Sequence, residues 1–144
     1  MPRFSRLTLR ASLAFCLAAL AGTYAQETPE ALAQETGEQW LTLLDAGKYG
    51  ESWDAASEGF KETVSRQDWV NQLKARAALG KVISRKVTKS DLMTNPPDVP
   101  PGDYVAIRYA SSFEHLESAV ELVIPMLEKD GKWWVSNYLI RRAD

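Results

Sequence analysis

A tight turn between two apolar runs constrains the fold of this chain more than any other feature. The dipeptide Asp130-Gly131 separates residues 118–127 from residues 132–140. Asp-Gly between two β-rich runs is a strong hairpin signal, because both residues accept the positive φ angles of a two-residue turn at low cost. The sequence therefore predicts a β-hairpin that forms the longest strand pair, and the residues before it must pack on this pair or extend it.

The first 25 residues have a different character from the rest. Arg3, Arg6 and Arg10 precede an apolar run that ends in Thr23-Tyr24-Ala25. A positive segment, a short apolar segment and a small residue at the cleavage point are the features of a secretory signal peptide, and the apolar segment is too short for a membrane span. We therefore predict that residues 1–25 are a signal peptide. The protein is expected in the periplasm or outside the cell, without a stable membrane anchor after cleavage.

The remaining residues suffice for one domain. We predict a short polar spacer over residues 26–37 and a single domain over residues 38–144. The chain has 17 basic and 19 acidic residues, and the predicted signal peptide holds three of the basic ones and none of the acidic ones, so the mature chain has 17 − 3 = 14 basic residues and a net charge of −5. An acidic chain argues against nucleic acid as a partner. The one cysteine, Cys16, falls in the predicted signal peptide, which excludes thiol chemistry.

Three helices are predicted before the strands. Apolar residues at helical spacing around Trp40 indicate a first helix that ends near Gly47. The spacing of Tyr49, Trp53, Ala56 and Phe60 predicts a second. The third begins after Ser65, carries Trp69, Leu73 and Ala77 on one face, and ends at Gly80.

Strands follow from residue 82 onwards. A β-branched and charged run over residues 82–89 predicts an edge strand, and residues 103–113 predict the strand before the hairpin. The proline-rich segment 95–102 between them must be a loop. The predicted fold class is α+β, with three N-terminal helices packed on a curved, four-stranded antiparallel sheet.

Several motifs recur in a fixed order along the predicted domain. They are Trp40-Leu41-x-Leu43-Leu44-Asp45-x-Gly47-x-Tyr49-x-x-x-Trp53, Trp69, Arg76-x-x-Leu79-Gly80-x-Val82-x-Ser84-Arg85, Gly102-Asp103-Tyr104-Val105, Phe113, Glu121 and Asp130-Gly131-x-Trp133-x-Val135-x-x-Tyr138. Their order and spacing resemble the bacterial family called domain of unknown function 4019. The resemblance implies an exported domain similar to the cone-shaped folds of nuclear transport factor 2 and ketosteroid isomerase, which are also cystatin-like. It implies no activity.

Glu121 is the candidate catalytic residue, because it stands in an apolar run where a buried carboxylate would acquire a raised pKa or find a cation. In an isomerase-like pocket it would act as a general base, with the hydroxyl of Tyr109 or Tyr138 stabilising an oxyanion. The competing interpretation is an ion pair with Arg108 or Arg85. The single histidine, His115, lies in a predicted connection and is expected on the surface. The sequence has no metal-ligand spacing motif, so neither metal nor cofactor is implied.

The hairpin register decides which side chains share a face. A two-residue turn would pair Lys129 with Lys132 and Glu121 with Ile140. It would turn the face of Val120 and Leu122 towards the helices. The opposite face would then present a candidate interface to solvent, made of Val123, Leu127, Trp134, Tyr138 and Ile140. A bulge near Ser136 is the alternative, and it would turn Tyr138 and Ile140 inward.

These observations favour an exported binding or assembly module of unknown ligand. Its expected partner is a second copy of the chain or a protein of the cell envelope. The alternative is an enzyme that resembles ketosteroid isomerase, with Glu121 as the base and Tyr109 as its helper. An enzyme would need a water-excluding cavity lined by titratable groups, whereas a binding module needs only an exposed apolar surface.

Overall fold

The computed structural model describes residues 26–144. The predicted signal peptide over residues 1–25 lies outside the described residues. Within the described part of the chain, no helix is both long enough and apolar enough to cross a membrane.

Four antiparallel strands form one sheet in chain order. They are β1 (Val82–Thr94), β2 (Asp103–Phe113), β3 (Leu116–Leu127) and β4 (Trp133–Arg142). Each strand pairs with the next one along the chain. The connections are short except between β1 and β2, which are joined by the proline-rich loop. The predicted α+β class with a four-stranded antiparallel sheet is confirmed.

Four helices precede the sheet: α1 (Pro29–Asp45), α2 (Tyr49–Asp54), α3 (Glu58–Thr63) and α4 (Arg66–Ala77). The first starts eight residues earlier than the end of the predicted spacer, because Thr28 caps it through the amide of Ala31 and Pro29 occupies its first turn. The prediction of a spacer over residues 26–37 is therefore wrong for most of its length. Gly37 lies inside the helix and is buried, and a Cβ there would lie 3.4 Å from side-chain atoms of Ile107 and Val123. The missing side chain lets α1 approach the sheet closely.

The predicted second helix is divided into α2 and α3. Between them, Ala56 forms a parallel bridge with Val135 of β4, and the amide of Ser57 donates to the carbonyl of Val135 at 2.8 Å. The hydroxyl of Ser57 then caps α3 by accepting from the amide of Phe60. Pairing with the sheet edge interrupts a helical pattern that the apolar spacing alone continued.

The hairpin turn is one residue longer than predicted. Glu128 and Lys132 are joined by a hydrogen bond across the turn, and Gly131 alone has a positive φ, +76°. A three-residue loop with a glycine in the left-handed region is the next most common hairpin connection after the two-residue one. The predicted pairing of Lys129 with Lys132 is wrong. A bulge at Ser136 then adds one residue to β4 and shifts the register back. The predicted pairing of Glu121 with Ile140 is therefore confirmed.

The sheet faces are the reverse of the prediction along β3. Ala119, Glu121, Val123 and Pro125 are buried, whereas Leu122 lies on the opposite, partly exposed face. The buried residues of β3 pack with those of β2 and of α1 in one core. Its members are Ala33, Trp40, Leu41, Leu44, Ala56, Phe60, Trp69, Leu73, Val105, Ile107, Tyr109, Val123 and Val135. The face that carries Glu121 therefore faces the helices.

Tryptophans organise the core near α4. Trp69 is 5% exposed and packs edge-on against Phe60, with ring centroids 4.9 Å apart. The indole N–H of Trp40 donates to the carbonyl of Ser52 at 2.7 Å, and the indole N–H of Trp69 donates to the hydroxyl of Ser52 at 2.9 Å. Each indole thus buries its rings and satisfies its N–H group.

The assignment of faces predicts opposite effects for two truncations in the sheet. Ile107 is fully buried on the inner face, so Ile107→Ala should lower the free energy of unfolding by about 2–5 kcal/mol. Leu139 is 53% exposed on the outer face, so Leu139→Ala should change the free energy of unfolding of the monomer by less than about 0.5 kcal/mol. Urea unfolding followed by tryptophan fluorescence measures both. Equal losses would mean that helices also cover the outer face.

Candidate functional site

A buried carboxylate lies at the centre of the helix–sheet interface. The side chain of Glu121 is fully buried, and one of its oxygens accepts hydrogen bonds from the Nε of Arg85 at 2.7 Å and the hydroxyl of Ser111 at 2.6 Å. The other accepts from the hydroxyl of Tyr138 at 2.7 Å and from Arg85 at 3.2 Å, and lies 3.4 Å from a nitrogen of Arg76. Both oxygens are therefore fully engaged with donors.

A second carboxylate completes the cluster. Asp45, the last residue of α1, accepts from Arg76 at 2.7 Å and from both terminal nitrogens of Arg85 at 2.7 and 3.1 Å. An acid in the last turn of a helix opposes the helix dipole, and the last turn of α1 has no basic residue of its own. The two arginines, from α4 and β1, supply the compensating charge. We call Asp45, Arg76, Arg85, Ser111, Glu121 and Tyr138 the ion cluster; its formal charges sum to zero.

The pKa values follow from this geometry. Burial raises the pKa of Glu121, but hydrogen bonds from Arg85 and Ser111 outweigh it, so the pKa lies below its ordinary value. The pKa of Asp45 is likewise raised by burial and lowered more strongly by Arg85 and Arg76. Burial, together with the neighbouring Glu121 charge, raises the pKa of Tyr138. The cluster is thus held in its ionised, mutually compensated state.

This arrangement does not match the candidate general base. A base needs a carboxylate with a pKa near the working pH and an open approach for substrate. Glu121 has a lowered pKa and donors on both oxygens, and it does not line any of the three surface cavities described below. Of the two cationic partners predicted for Glu121, Arg85 is confirmed, whereas Arg108 is exposed on the outer face.

Neither Tyr109 nor His115 belongs to the ion cluster. Tyr109 is buried and cross-strand from Glu121, yet its hydroxyl has no hydrogen-bond partner among the described residues and lies under Gly37 of α1. Burial raises the pKa of Tyr109, which makes it a poor proton donor. His115 is exposed in the turn between β2 and β3, as predicted. Within residues 26–144, no group of three potential ligands could hold a metal ion.

The five residues of the predicted interface do not share a face. Val123 is fully buried in the core, and the ring of Tyr138 packs against Trp40 and Trp69. Trp134 alone lies on the outer face, where its indole N–H donates to Asp130 at 3.0 Å. Leu127 and Ile140 are partly buried on the inner side. The bulge at Ser136 turns Tyr138 and Ile140 inward, so the predicted single surface is wrong.

Sequence reasoning missed Arg76 and Asp45. Arg76 follows Trp69 and Leu73 at the i, i+4, i+7 spacing of one helix face, so it lies on the apolar stripe of α4. A charged residue on a buried stripe requires a buried partner. The position of Arg76 on this stripe was the signal available in the sequence. It would have predicted a buried acidic partner for Arg76.

Three surface cavities flank the sheet. A cavity of ≈ 550 Å³ lies between α3, the bulge of β4 and the proline-rich loop, and one of ≈ 370 Å³ lies between α4 and the C-terminal half of β4. The third, of ≈ 580 Å³, lies between α1 and the hairpin turn. The first two share Trp69, Gln72 and Tyr138 in their walls.

Comparisons with known proteins agree with this fold. A family described as "Protein of unknown function (DUF4019)" matches residues 36–138. A solved 2.5 Å structure from Catenulispora acidiphila is similar, with a TM-score of 0.52 and 13% identity over 78% of this chain and 89% of that chain. At this identity the likeness concerns the fold alone. No curated protein matches the chain.

The ion cluster predicts a large cost for neutralising one member. Glu121→Gln would leave two buried arginines with too little negative charge, which should lower the free energy of unfolding by about 3–5 kcal/mol. The matched control is Asp54→Asn, because Asp54 pairs with Arg66 in an ion pair of which both members are about half exposed. It should leave the urea midpoint close to that of the wild type. Wild-type stability of Glu121→Gln would contradict a structural role for the cluster.

The lowered pKa values also predict an acid-sensitive stability. Glu121 and Asp45 titrate lower in the folded than in the unfolded chain, so their contribution is complete above the unfolded carboxyl values of about 4. It is lost as the pH falls through the lower folded values. Urea unfolding between pH 7 and pH 2 should show a falling free energy of unfolding below about pH 5. The fall should be shallower in Glu121→Gln, and an identical slope would exclude the cluster as its source.

Proposed function

The chain belongs to the DUF4019 family, and we propose that it acts as an exported binding module rather than as an enzyme. The observation that carries this proposal is the outer face of the sheet, which the helices of residues 26–144 leave open except where α3 and the proline-rich loop border Ile124 and Met126. Along β3 and β4 this face presents a row of large apolar side chains. They are Val120, Leu122, Ile124, Met126, Trp134 and Leu139, here called the outer apolar face.

An apolar surface of this extent supports a role in association. Monomeric soluble proteins seldom leave a contiguous patch larger than a few hundred Å² uncovered. The six residues lie on the neighbouring strands β3 and β4, where Leu122 pairs with Leu139 and Met126 pairs with Trp134, so the patch is continuous across these two strands.

A second copy of the chain is the occupant that we propose. One end of the outer face carries Lys86, Arg108 and Arg141, whereas the turn at the other end carries Asp130 between the exposed Lys129 and Lys132. A twofold arrangement that reverses the strand direction would keep the basic ends of the two copies apart. The same patch would then serve both subunits. A protein of the cell envelope would use the same surface in place of the second copy.

The ion cluster supports a binding role over the isomerase alternative. The interior position that a general base would occupy holds a carboxylate with donors on both oxygens, and its pKa is lowered rather than raised. Export is part of the proposal and depends on the sequence of residues 1–25. The periplasm or the medium is the expected location of the mature domain.

Replacement of Trp134 tests the proposed dimer. Wild-type protein should sediment as a dimer at micromolar concentration, and Trp134→Lys should sediment as a monomer, because a charge in the centre of an apolar contact must be desolvated without a partner. Ile83→Lys is the matched control, since Ile83 is an exposed apolar residue of β1 that does not belong to the outer apolar face. A wild-type monomer would refute self-association. Equal weakening by both variants would refute the assigned surface.

A further inference from the structure

The edge of β4 that faces away from β3 is paired with another backbone segment at one end only. Val135 of β4 is bridged to Ala56, and Ser57 donates to its carbonyl. Beyond the bulge, the amide of Ala143 donates to the carbonyl of Ser118, so this residue bonds inward to β3. Since residues of an antiparallel ladder alternate in direction, the backbone groups of Tyr138, Ile140 and Arg142 are directed away from β3. This edge offers three donor–acceptor positions for another strand.

A trough accompanies this edge. The cavities of ≈ 550 and ≈ 370 Å³ share Trp69, Gln72 and Tyr138, so they are two ends of one depression that follows β4. Its walls are mostly apolar, with Leu73 and Leu79 facing the C-terminal half of the strand. From residue 136 to residue 142 the edge measures roughly 23 Å at about 3.3 Å per residue. That length suits an extended peptide of about seven residues.

The trough is held in shape by contacts outside it. The hydroxyl of Tyr138 bonds Glu121 at 2.7 Å and accepts from Arg76 at 2.9 Å, so the shared wall belongs to the ion cluster. The proline-rich loop at the other end is held by Tyr104, whose hydroxyl donates to the carbonyl of Pro100 at 2.7 Å. Walls that are fixed before binding reduce the entropy that a ligand must lose.

The charges at the trough define the chemistry of its occupant. Arg141 and Arg142 lie at its C-terminal end and point to opposite sides of the strand. The guanidinium of Arg141 forms an exposed ion pair with Asp144 and donates to the carbonyl of Arg142, both at 3.2 Å. We propose that the edge of β4 binds an extended, acidic peptide segment of a partner protein, which adds a fifth strand beside β4, places apolar side chains in the trough and places carboxylates near Arg141.

Ile124, Met126 and Leu139 line both this trough and the outer apolar face, but the two sites differ because here the backbone of the strand edge makes the contact. It goes beyond the proposed function and does not depend on dimer formation. A small apolar ligand would use the same cavity walls without the backbone of β4. The two occupants therefore differ in whether they need the amide of Ile140.

Heptapeptide libraries test the proposal on the full chain. In one library apolar residues alternate with glutamate, and in the other they alternate with lysine. Only the first should yield peptides that bind saturably in fluorescence anisotropy. Each selected peptide is then made in two N-methylated forms, with alternate amides blocked on one edge or on the other. A strand uses one edge for pairing, so one form should lose at least tenfold in affinity and the other should bind as the parent does.

Variants of the protein locate the contact. Ile140→Pro removes the outward amide, and proline is tolerated at an outward position of an edge strand. Ile140→Ala removes a similar amount of side chain and keeps the amide. Ile140→Pro should bind the selected peptides at least tenfold more weakly than Ile140→Ala. Arg141→Glu should also weaken binding, whereas Trp134→Lys should bind as wild type, which separates this site from the dimer surface.

Two outcomes would overturn the proposal. One is the absence of any binder in the glutamate library. The other is binding that neither N-methylated form impairs and that is equal in Ile140→Pro and Ile140→Ala, which would indicate a ligand of the cavity walls alone. Urea unfolding checks that Ile140→Pro is folded. If that variant does not fold, the two N-methylated forms decide the question on wild-type protein.

Discussion

The buried carboxylate of Glu121 is the interaction on which the rest of the structure depends. Through Arg85, Arg76 and Tyr138 it connects the centre of β3 to β1, α4 and β4, and the arginines extend the connection to Asp45 at the end of α1. A buried ion pair contributes less net stability than its Coulomb energy implies, because both charges lose their hydration. The ion pair contributes more to the specificity of the fold, since any packing of α1 or α4 that separated these groups would leave a charge buried without a partner.

The same cluster limits what the interior can do. A cone-shaped domain can use the space between its helices and sheet as a reaction chamber, but here that space holds salt-bridged side chains and tryptophans. Trp40 and Trp69 pack on the ring of Tyr138, whose hydroxyl belongs to the cluster. The surfaces that remain for the proposed recognition are the outside of the sheet and its open edge. These surfaces are formed by β3 and β4, which the cluster holds in register.

Two single-residue irregularities in the hairpin explain why the pairing of Glu121 with Ile140 was predicted correctly and the sharing of faces along β4 was not. The three-residue turn shifts the register by one residue, and the bulge at Ser136 shifts it back. Glu121 consequently lies opposite Ile140, as a regular two-residue turn would also place it. Between the turn and the bulge, however, the strand is displaced, so Trp133 and Val135 share the inner face with Tyr138 and Ile140. Because side chains alternate with a period of two, each shift exchanges the faces.

The sequence by itself determined the kind and order of the elements, because helical and strand periodicities, capping serines and the Asp-Gly turn are local properties. It identified Glu121 as the unusual residue of the sheet and Arg85 as one of its partners. Only the tertiary structure decided which face of β3 is buried, that Arg76 and Asp45 complete the cluster, and that pairing of Ala56 with Val135 divides a predicted helix into two. Each of these depends on contacts between residues far apart in the chain. Their energies exceed the local preferences that a periodic pattern records.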